Sequence, residues 1–218
     1  MDNTLRGDHL KQGLIILLNG TSSSGKTSIS TELIKQKEIP IQHLSVDEFC
    51  NEMCHSYLNY INEKYPNIEP TDEVNEDVVS QLLTEPMVSL YFTTIKLFST
   101  MGINVVVDTV LNNDEWFNTC LDLLSDHPVL FVGVKCSREE MARREQLRGD
   151  RKIGLAASQY DKVYCFEHYD LELDTEKQLP ILCANRIVEH IRSEIEFSTF
   201  KRLSKRKICT NSKVSSPT

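Results

Sequence analysis

The chain has 218 residues, of which 40% are hydrophobic and 26% are charged, and a formal net charge of −8; this composition is typical of one folded domain and excludes a fibrous or wholly disordered chain. The longest apolar run, Leu14 to Leu18, is far shorter than the roughly 20 residues that a membrane-spanning helix needs. Because the N-terminus also lacks an apolar signal core, we expect a cytoplasmic protein without a membrane span.

Short, apolar and β-branched segments alternate with helical patterns along the chain. This alternation predicts an α/β domain over residues 13–198, with a central parallel sheet and right-handed crossovers. The predicted strands are Gly13–Asn19, Ile41–Val46, Ile103–Asp108, Val129–Cys136 and Tyr169–Leu173. The predicted helices are Lys26–Gln36, Glu73–Leu83, Pro86–Met101, Asp114–Leu124, Ser137–Leu147 and Leu179–Ile195. Residues 1–12 are expected to form an N-terminal extension.

A glycine-rich turn links the first predicted strand to the first predicted helix. It reads GTSSSGKT, from Gly20 to Thr27, and fits the P-loop (Walker A) pattern G-x-x-x-x-G-K-[ST]. In such a loop the backbone N–H groups and the positive end of the helix face a phosphate. Lys26 is expected to reach the β- and γ-phosphates of ATP, and the Thr27 hydroxyl to ligate Mg²⁺. The residues expected to bind the nucleotide are Gly20, Thr21, Ser22, Ser23, Ser24, Gly25, Lys26, Thr27 and Ser28.

Two aspartates lie at the ends of predicted strands, where open α/β sheets bind ligands. Asp108 ends the strand INVVVD, and we favour a role in holding Mg²⁺, directly or through a water ligand, over a role as a helix cap. Asp47 follows the second strand in HLSVDEF. It could be the general base that accepts the proton of an attacking hydroxyl, or the N-cap of the next helix.

An acidic segment follows the second strand. Between Asp47 and Glu85 there are ten acidic residues and one base, Lys64, which predicts an insertion at about residues 50–86. The insertion could be a flap for polar or cationic compounds, although a solvated face is the more common reading of such a charge run. Cys50, Cys54 and His55 lie close together within it, but no second Cys/His pair follows, so we expect thiols rather than a zinc site. The seven cysteines are an odd number scattered along the chain, so reduced thiols are expected throughout.

Four arginines lie in the segment ARREQLRGDR. The spacing of Arg144 and Arg148 places both on one face of a helix. Guanidinium groups over a triphosphate can neutralise charge during phosphoryl transfer. Because a P-loop precedes them, we favour a helical lid at about residues 138–165 that closes over ATP, rather than a plain surface helix.

The charge distribution separates the body of the chain from its end. Every Asp and Glu lies before residue 200, so the first 200 residues carry −14 and the last 18 carry +6. The acidic body disfavours nucleic-acid binding, except through the basic segment 201–213. That segment could instead bind an anionic membrane, or it could have no binding partner. We expect residues 199–218 to form a basic, disordered tail.

Several of these motifs together resemble the chloramphenicol phosphotransferase-like family of P-loop kinases. The resemblance covers roughly residues 13–175 and is carried by LNGTSSSGKT, the VD of SVDEF, VVVDTV, FVGVKC, RREQLRGDRKIGLAASQ and YDLELDT. It implies a three-layer, nucleotide-kinase-like fold that transfers the γ-phosphate of ATP to a hydroxyl of a small molecule. It also implies that Asp47 is the base, that Arg144 and Arg148 act from the lid, and that the segment near Asp174 and Thr175 lies close to the adenine.

The chain departs from this family where the acceptor would bind. It has Asp108-Thr109 where the family often has two consecutive aspartates, and Tyr164 where a His is expected. The acidic insertion bears little resemblance to the chloramphenicol-binding segment. The motifs therefore predict the reaction class and leave the acceptor open.

The sequence thus predicts an ATP- and Mg²⁺-dependent O-phosphotransferase with Lys26, Asp47, Arg144 and Arg148 as its catalytic residues. Two alternatives remain at this stage. One is a nucleotide-dependent binding or regulatory module, in which the acidic insertion or the basic tail meets a protein partner. The other keeps the kinase chemistry and makes RNA or a protein the acceptor. The oligomeric state is left open.

Overall fold

The computed structural model describes residues 11–53, 55–64, 85–149, 153–165, 168–193 and 196–205. Five parallel strands form its centre: Ile15–Asn19 (β1), Ile41–Ser45 (β2), Asn104–Thr109 (β3), Val129–Lys135 (β4) and Leu171–Asp174 (β5). Their order in the sheet is β2-β3-β1-β4-β5. Every residue of β1 is buried, which explains its unbroken apolar sequence. The predicted α/β fold is confirmed, and strand ends differ from prediction by two residues at most.

Helices follow the strands as predicted for most of the described chain. They are Lys26–Gln36 (α1), Val46–Glu48 (α2), His55–Lys64 (α3), Glu85–Thr100 (α4), Asp114–Leu124 (α5), Arg138–Arg148 (α6), Leu155–Val163 (α7), Pro180–Arg192 (α8) and 199–205 (α9). A π-helical turn, Phe49–Met53, follows α2. The predicted helix Glu73–Leu83 lies outside the described residues. None of the helices described is long and apolar enough to cross a membrane.

Helices cover both faces of the sheet. On one face, α4 and α5 pack against β1, β3 and β4 around Phe92, Leu121 and Phe131. On the other, α1 and α8 pack against the same strands around Ile29 and Ile187. These two cores produce three layers, helix on sheet on helix, and leave the carboxyl ends of the strands free to form a crevice.

The chain end differs from the sequence-based expectation. Residues 199–205 form a helix, whereas we expected disorder from residue 199 onward. Phe200 is 2% exposed and packs edge-on against Phe131 of the core, with ring centroids 5.6 Å apart. An aromatic side chain of this size stabilises the segment by removing a large apolar area from water. The basic residues obscured this signal; residues 206–218 lie outside the described part of the chain.

Candidate functional site

The P-loop connects β1 to α1 at the centre of the sheet edge, and two glycines permit its path. Gly25 has φ 97° and ψ 11°, a left-handed conformation that favours glycine. A Cβ on Gly20 would lie 2.6 Å from both the Ser24 hydroxyl and the Val134 carbonyl oxygen. A side chain at Gly20 would therefore push the loop away from β4, and both glycines of the pattern are explained by the local geometry.

Lys26, the first residue of α1, is folded along the loop. Its ammonium Nζ donates to the carbonyl oxygens of Gly20, at 2.8 Å, and Thr21, at 2.7 Å. The hydroxyls of Ser23 and Ser24 are buried and have no hydrogen-bond partner among the described residues. Unpaired buried donors and a buried ammonium suit a bound anion, because such groups are costly to leave without a partner. The loop as it stands therefore fits phosphate groups.

Asp108, at the end of β3, is a buried carboxylate held by two neighbours. Oδ1 accepts a hydrogen bond from the Ser30 hydroxyl at 2.5 Å, and Oδ2 lies 3.2 Å from Nε2 of His43 on the adjacent strand. Burial would raise the pKa of Asp108, but the contacts with His43 and Ser30, together with the charge of Lys26, outweigh burial and lower it. The same contact raises the pKa of His43. Asp108 is therefore ionised at neutral pH.

Thr27 and Asp108 fit a Mg²⁺ ion that is only partly held by protein. Thr27 and Asp108 line the same cavity, and carboxylate oxygens have further acceptor sites beyond one hydrogen bond each. Within the described ranges there is no group of three or more His, Cys, Asp or Glu side chains that could hold a metal ion. A Mg²⁺ ion here would take most of its ligands from nucleotide phosphates and water.

Asp47 lies at the same edge of the sheet as Asp108. Ser45, the last residue of β2, pairs in register with Asp108 of β3, and Asp47 follows it by two residues in the exposed helix α2. Asp47 lines the cavity together with Ser45 and Val46. The crevice outside the strand ends thus contains both carboxylates that the sequence singles out.

One cavity of about 800 Å³ brings together most of the predicted site residues. Those that line it are Ser22, Ser23, Gly25, Lys26, Thr27, Ser28, Asp47, Asp108, Arg144 and Arg148. Gly20, Thr21 and Ser24 are buried and do not line it. Thr21 instead contacts the lid, since its hydroxyl lies 2.6 Å from the Met141 sulfur. These three residues support the conformation of the loop on its buried side.

Asp174, which is expected near the adenine together with Thr175, does not itself line the cavity, whereas Thr175 does. Its Oδ1 accepts from the backbone N–H groups of Glu176 and Lys177, and its Oδ2 pairs with the Lys177 ammonium at 2.8 Å. Asp174 therefore fixes the turn after β5. Residues 175–180 of that turn line the cavity in its place.

The two lid arginines are placed differently on α6. The Arg144 guanidinium donates to the Ser23 carbonyl oxygen at 3.4 Å, to the hydroxyl and carbonyl oxygen of Thr175 at 3.1 and 2.8 Å, and to Glu140. It thus joins the P-loop to the turn after β5. Arg148, at the end of α6, is exposed and lines the cavity. Closure of the lid stays a prediction.

Three buried or half-buried residues at the site were not predicted from the sequence: Asn19, His43 and Gln159. Asn19, directly before the P-loop, accepts from the Leu111 N–H and donates to the Val163 carbonyl and the Tyr169 hydroxyl. Tyr164, the departure from the expected His, donates to the Val134 carbonyl oxygen at 2.7 Å. Asn19 is the one polar residue of the otherwise apolar strand β1, and this was the available signal for it; no local pattern marked His43, which lies inside β2.

The lid helices α6 and α7 are joined by one buried carboxylate. Glu145 of α6 is 2% exposed, and its two oxygens accept from the N–H groups of Gly154, at 2.9 Å, and Ala156, at 2.7 Å. These bonds satisfy backbone donors at the N-terminus of α7, where a negative charge is favourable. Glu145 therefore sets the position of α7 over the P-loop.

We expect Glu145→Gln to lower the free energy of unfolding by about 2 kcal/mol, because it removes the charge and turns an amide NH₂ toward a backbone N–H. Urea unfolding measures the change, and Glu139→Gln on the same helix is the control, since Glu139 is exposed. Equal stability of the two variants would contradict the role given to Glu145.

These features define a class of protein. A P-loop after the central strand of a parallel sheet, with a lysine, a threonine and two carboxylates around one crevice, is the P-loop kinase architecture. The sequence also matches the model of the chloramphenicol phosphotransferase-like family over residues 13–192, and the chain belongs to that family. The family that the motifs predicted is thereby confirmed.

Individual relatives and solved structures are consistent with membership of this family. A Mycobacterium tuberculosis H37Rv protein named "Putative O-phosphotransferase" is 31% identical over 173 residues, 76% of each chain. The solved M. tuberculosis APS kinase in complex with AMPPNP and APS has a TM-score of 0.58 at 15% identity, covering 84% of this chain and 99% of its own. Shikimate kinase from Acinetobacter baumannii in complex with shikimate has a TM-score of 0.55 at 14% identity, covering 84% and 96%. The structural likenesses show the kinase fold.

Proposed function

We propose that the protein is an ATP- and Mg²⁺-dependent phosphotransferase that moves the γ-phosphate to a hydroxyl group of a small molecule. The proposal rests on one observation: the same cavity at the strand ends is lined by Lys26, Thr27, Asp47 and Asp108. Family membership supports the phosphotransferase class. A pure nucleotide-binding module would need the P-loop but not a second carboxylate beside it.

The P-loop side of the cavity binds the phosphate chain. Lys26 and the loop N–H groups supply positive charge, and Arg144 keeps the loop in place through the Ser23 carbonyl oxygen. Thr27 and Asp108 would hold Mg²⁺, which when bound neutralises phosphate charge and helps to orient the γ-phosphate. Arg148 at the lid end of the cavity is placed to meet charge that develops on the phosphate oxygens.

The acceptor would bind next to Asp47. Asp47 is exposed, lines the cavity and carries a carboxylate that can accept the proton of an attacking hydroxyl. Two proteins with the same fold, APS kinase and shikimate kinase, were solved in complex with the small molecules APS and shikimate. We therefore place the acceptor of this chain among small hydroxylated compounds.

A transfer assay with γ-labelled ATP and Mg²⁺ tests the proposal, with chloramphenicol, a panel of hydroxylated metabolites and a cell extract as acceptors. We expect label on a small molecule with the wild-type protein and none with Lys26→Ala. That variant removes the ammonium that faces the loop and should weaken binding of AMPPNP at least about tenfold.

Two other outcomes would change the proposal in defined ways. Label on RNA or on a protein would keep the chemistry and change the acceptor class. Removal of residues 206–218 should then lower activity, with a marked salt dependence if the acceptor is RNA. Nucleotide binding without transfer to any component would identify a nucleotide-dependent binding module instead.

A further inference from the structure

The side chain of Gln159 contacts the P-loop from the lid. Gln159 belongs to α7, and its Oε1 accepts a hydrogen bond from the backbone N–H of Ser22 at 2.9 Å. It also lines the cavity that contains Lys26 and Thr27. Gln159 is the last residue of the motif GLAASQ, which forms part of the family resemblance and to which the residues alone assign no role.

The chemistry of the contact fixes the orientation of the carboxamide. A backbone N–H can only donate, so the atom of Gln159 that faces Ser22 must be the acceptor oxygen. The NH₂ group of Gln159 is then the other end of the amide, and the described residues offer it no acceptor. A donor without a protein partner on a cavity wall suits an anionic group in that cavity.

The position of the contact indicates which part of a nucleotide is nearby. Thr21 O and Ser22 N belong to one peptide group, and Lys26 Nζ donates to that oxygen at 2.7 Å. Lys26 therefore binds the carbonyl oxygen of this peptide group, and Gln159 binds its N–H. In a P-loop this lysine reaches the β- and γ-phosphates, so Gln159 lies at that end of the phosphate chain.

The lid elements around Gln159 keep it in this place. Glu145 holds the N-terminus of α7, and beyond the other end Tyr164 accepts from the Thr21 N–H at 3.4 Å and donates to Val134. The backbone of α7 is thus fixed on both sides of Gln159. A fixed donor loses little freedom on binding and contributes more to affinity.

We infer that Gln159 is a phosphate-binding residue of this site: its oxygen holds the Ser22 N–H, and its NH₂ donates to an oxygen at the β/γ end of the nucleotide. The inference rests on the proposed nucleotide site. It gives the lid a direct contact with the phosphates that is neutral and directional, besides the charge supplied by Arg148.

Two variants of Gln159 separate phosphate binding from a role in holding the loop. Gln159→Glu keeps an acceptor for the Ser22 N–H but replaces the NH₂ donor by a negative oxygen. Gln159→Met has nearly the same length and no hydrogen-bonding amide. Gln146→Glu and Gln146→Met are the controls, since Gln146 is exposed on α6 and does not line the cavity.

Two measurements on the full chain test the inference. Calorimetry with Mg²⁺ gives the affinities for AMPPNP and for AMP, and thermal unfolding gives the melting temperature without nucleotide. We expect both Gln159 variants to lose roughly tenfold or more in AMPPNP affinity, the loss typical of a hydrogen bond to a charged group, and to retain their affinity for AMP. The melting temperature of Gln159→Glu should stay at the wild-type value, because the bond to Ser22 remains.

Three results would overturn the inference. One is binding of AMPPNP by Gln159→Glu or Gln159→Met as tightly as by the wild type. Another is an equal loss for AMP, which would mean that the whole pocket is disturbed. A wild-type protein that binds no AMPPNP would overturn the proposed function itself, and this inference with it.

Discussion

Asp47→Asn should lower the rate of phosphoryl transfer by at least about a hundredfold and leave nucleotide affinity unchanged, since general bases contribute roughly 10² to 10⁴ in rate. The amide is nearly the same size as the carboxylate but cannot accept the proton of the attacking hydroxyl. Asp47 belongs to α2 and not to the P-loop, and the loop contacts of Lys26 are made with Gly20 and Thr21, so AMPPNP affinity should not change. Turnover is measured with the acceptor that becomes labelled in the transfer assay.

Glu48→Gln is the matched control for this variant. Glu48 is the next residue in α2, is exposed like Asp47 and does not line the cavity. Its change removes the same charge from the same short helix, so a general electrostatic effect would slow both variants equally. A wild-type rate in Asp47→Asn would show that the base is another group.

The sequence contained enough to predict the fold and the main members of the site. Short apolar strands alternating with helices specify a parallel sheet, and the P-loop pattern marks the strand that lies at its centre. Asp47 and Asp108 could be paired in advance because each follows a strand, and the carboxyl ends of parallel strands meet at one edge. The structure places both on one cavity, as this rule requires.

The supporting residues could not be predicted because their roles depend on register and side-chain packing. His43 faces Asp108 only because β2 and β3 pair as they do, with Ser45 opposite Asp108. Gln159 meets Ser22 across 137 residues of chain, through a lid whose position Glu145 sets. Phe200 was hidden by the basic residues around it. Local periodicity carries no information about such long-range contacts.

Asn19 illustrates how much such a residue can contribute, and Asn19→Leu should lower the free energy of unfolding by about 3 kcal/mol. The side chain is fully buried, and its three hydrogen bonds connect the end of β1 to the loop after β3, to Val163 of α7 and to Tyr169 before β5. Leucine has a similar volume but leaves the Leu111 N–H without a partner in a dry interior, and it removes one of the two donors, at 3.1 and 3.2 Å, to the Val163 carbonyl oxygen. Unsatisfied buried groups of this kind cost about 1–3 kcal/mol each.

For a chain of this size, that loss corresponds to a fall in melting temperature of roughly 6–12 °C. Asn185→Leu is the control, because Asn185 is exposed and makes one surface hydrogen bond, to Gln36. Urea unfolding and thermal melting of the two variants should differ by most of the predicted loss. If Asn19→Leu were as stable as Asn185→Leu, the hydrogen bonds of Asn19 would not be what holds β1 to the loop after β3 and to α7, and apolar packing around β1 would have to hold these elements together instead.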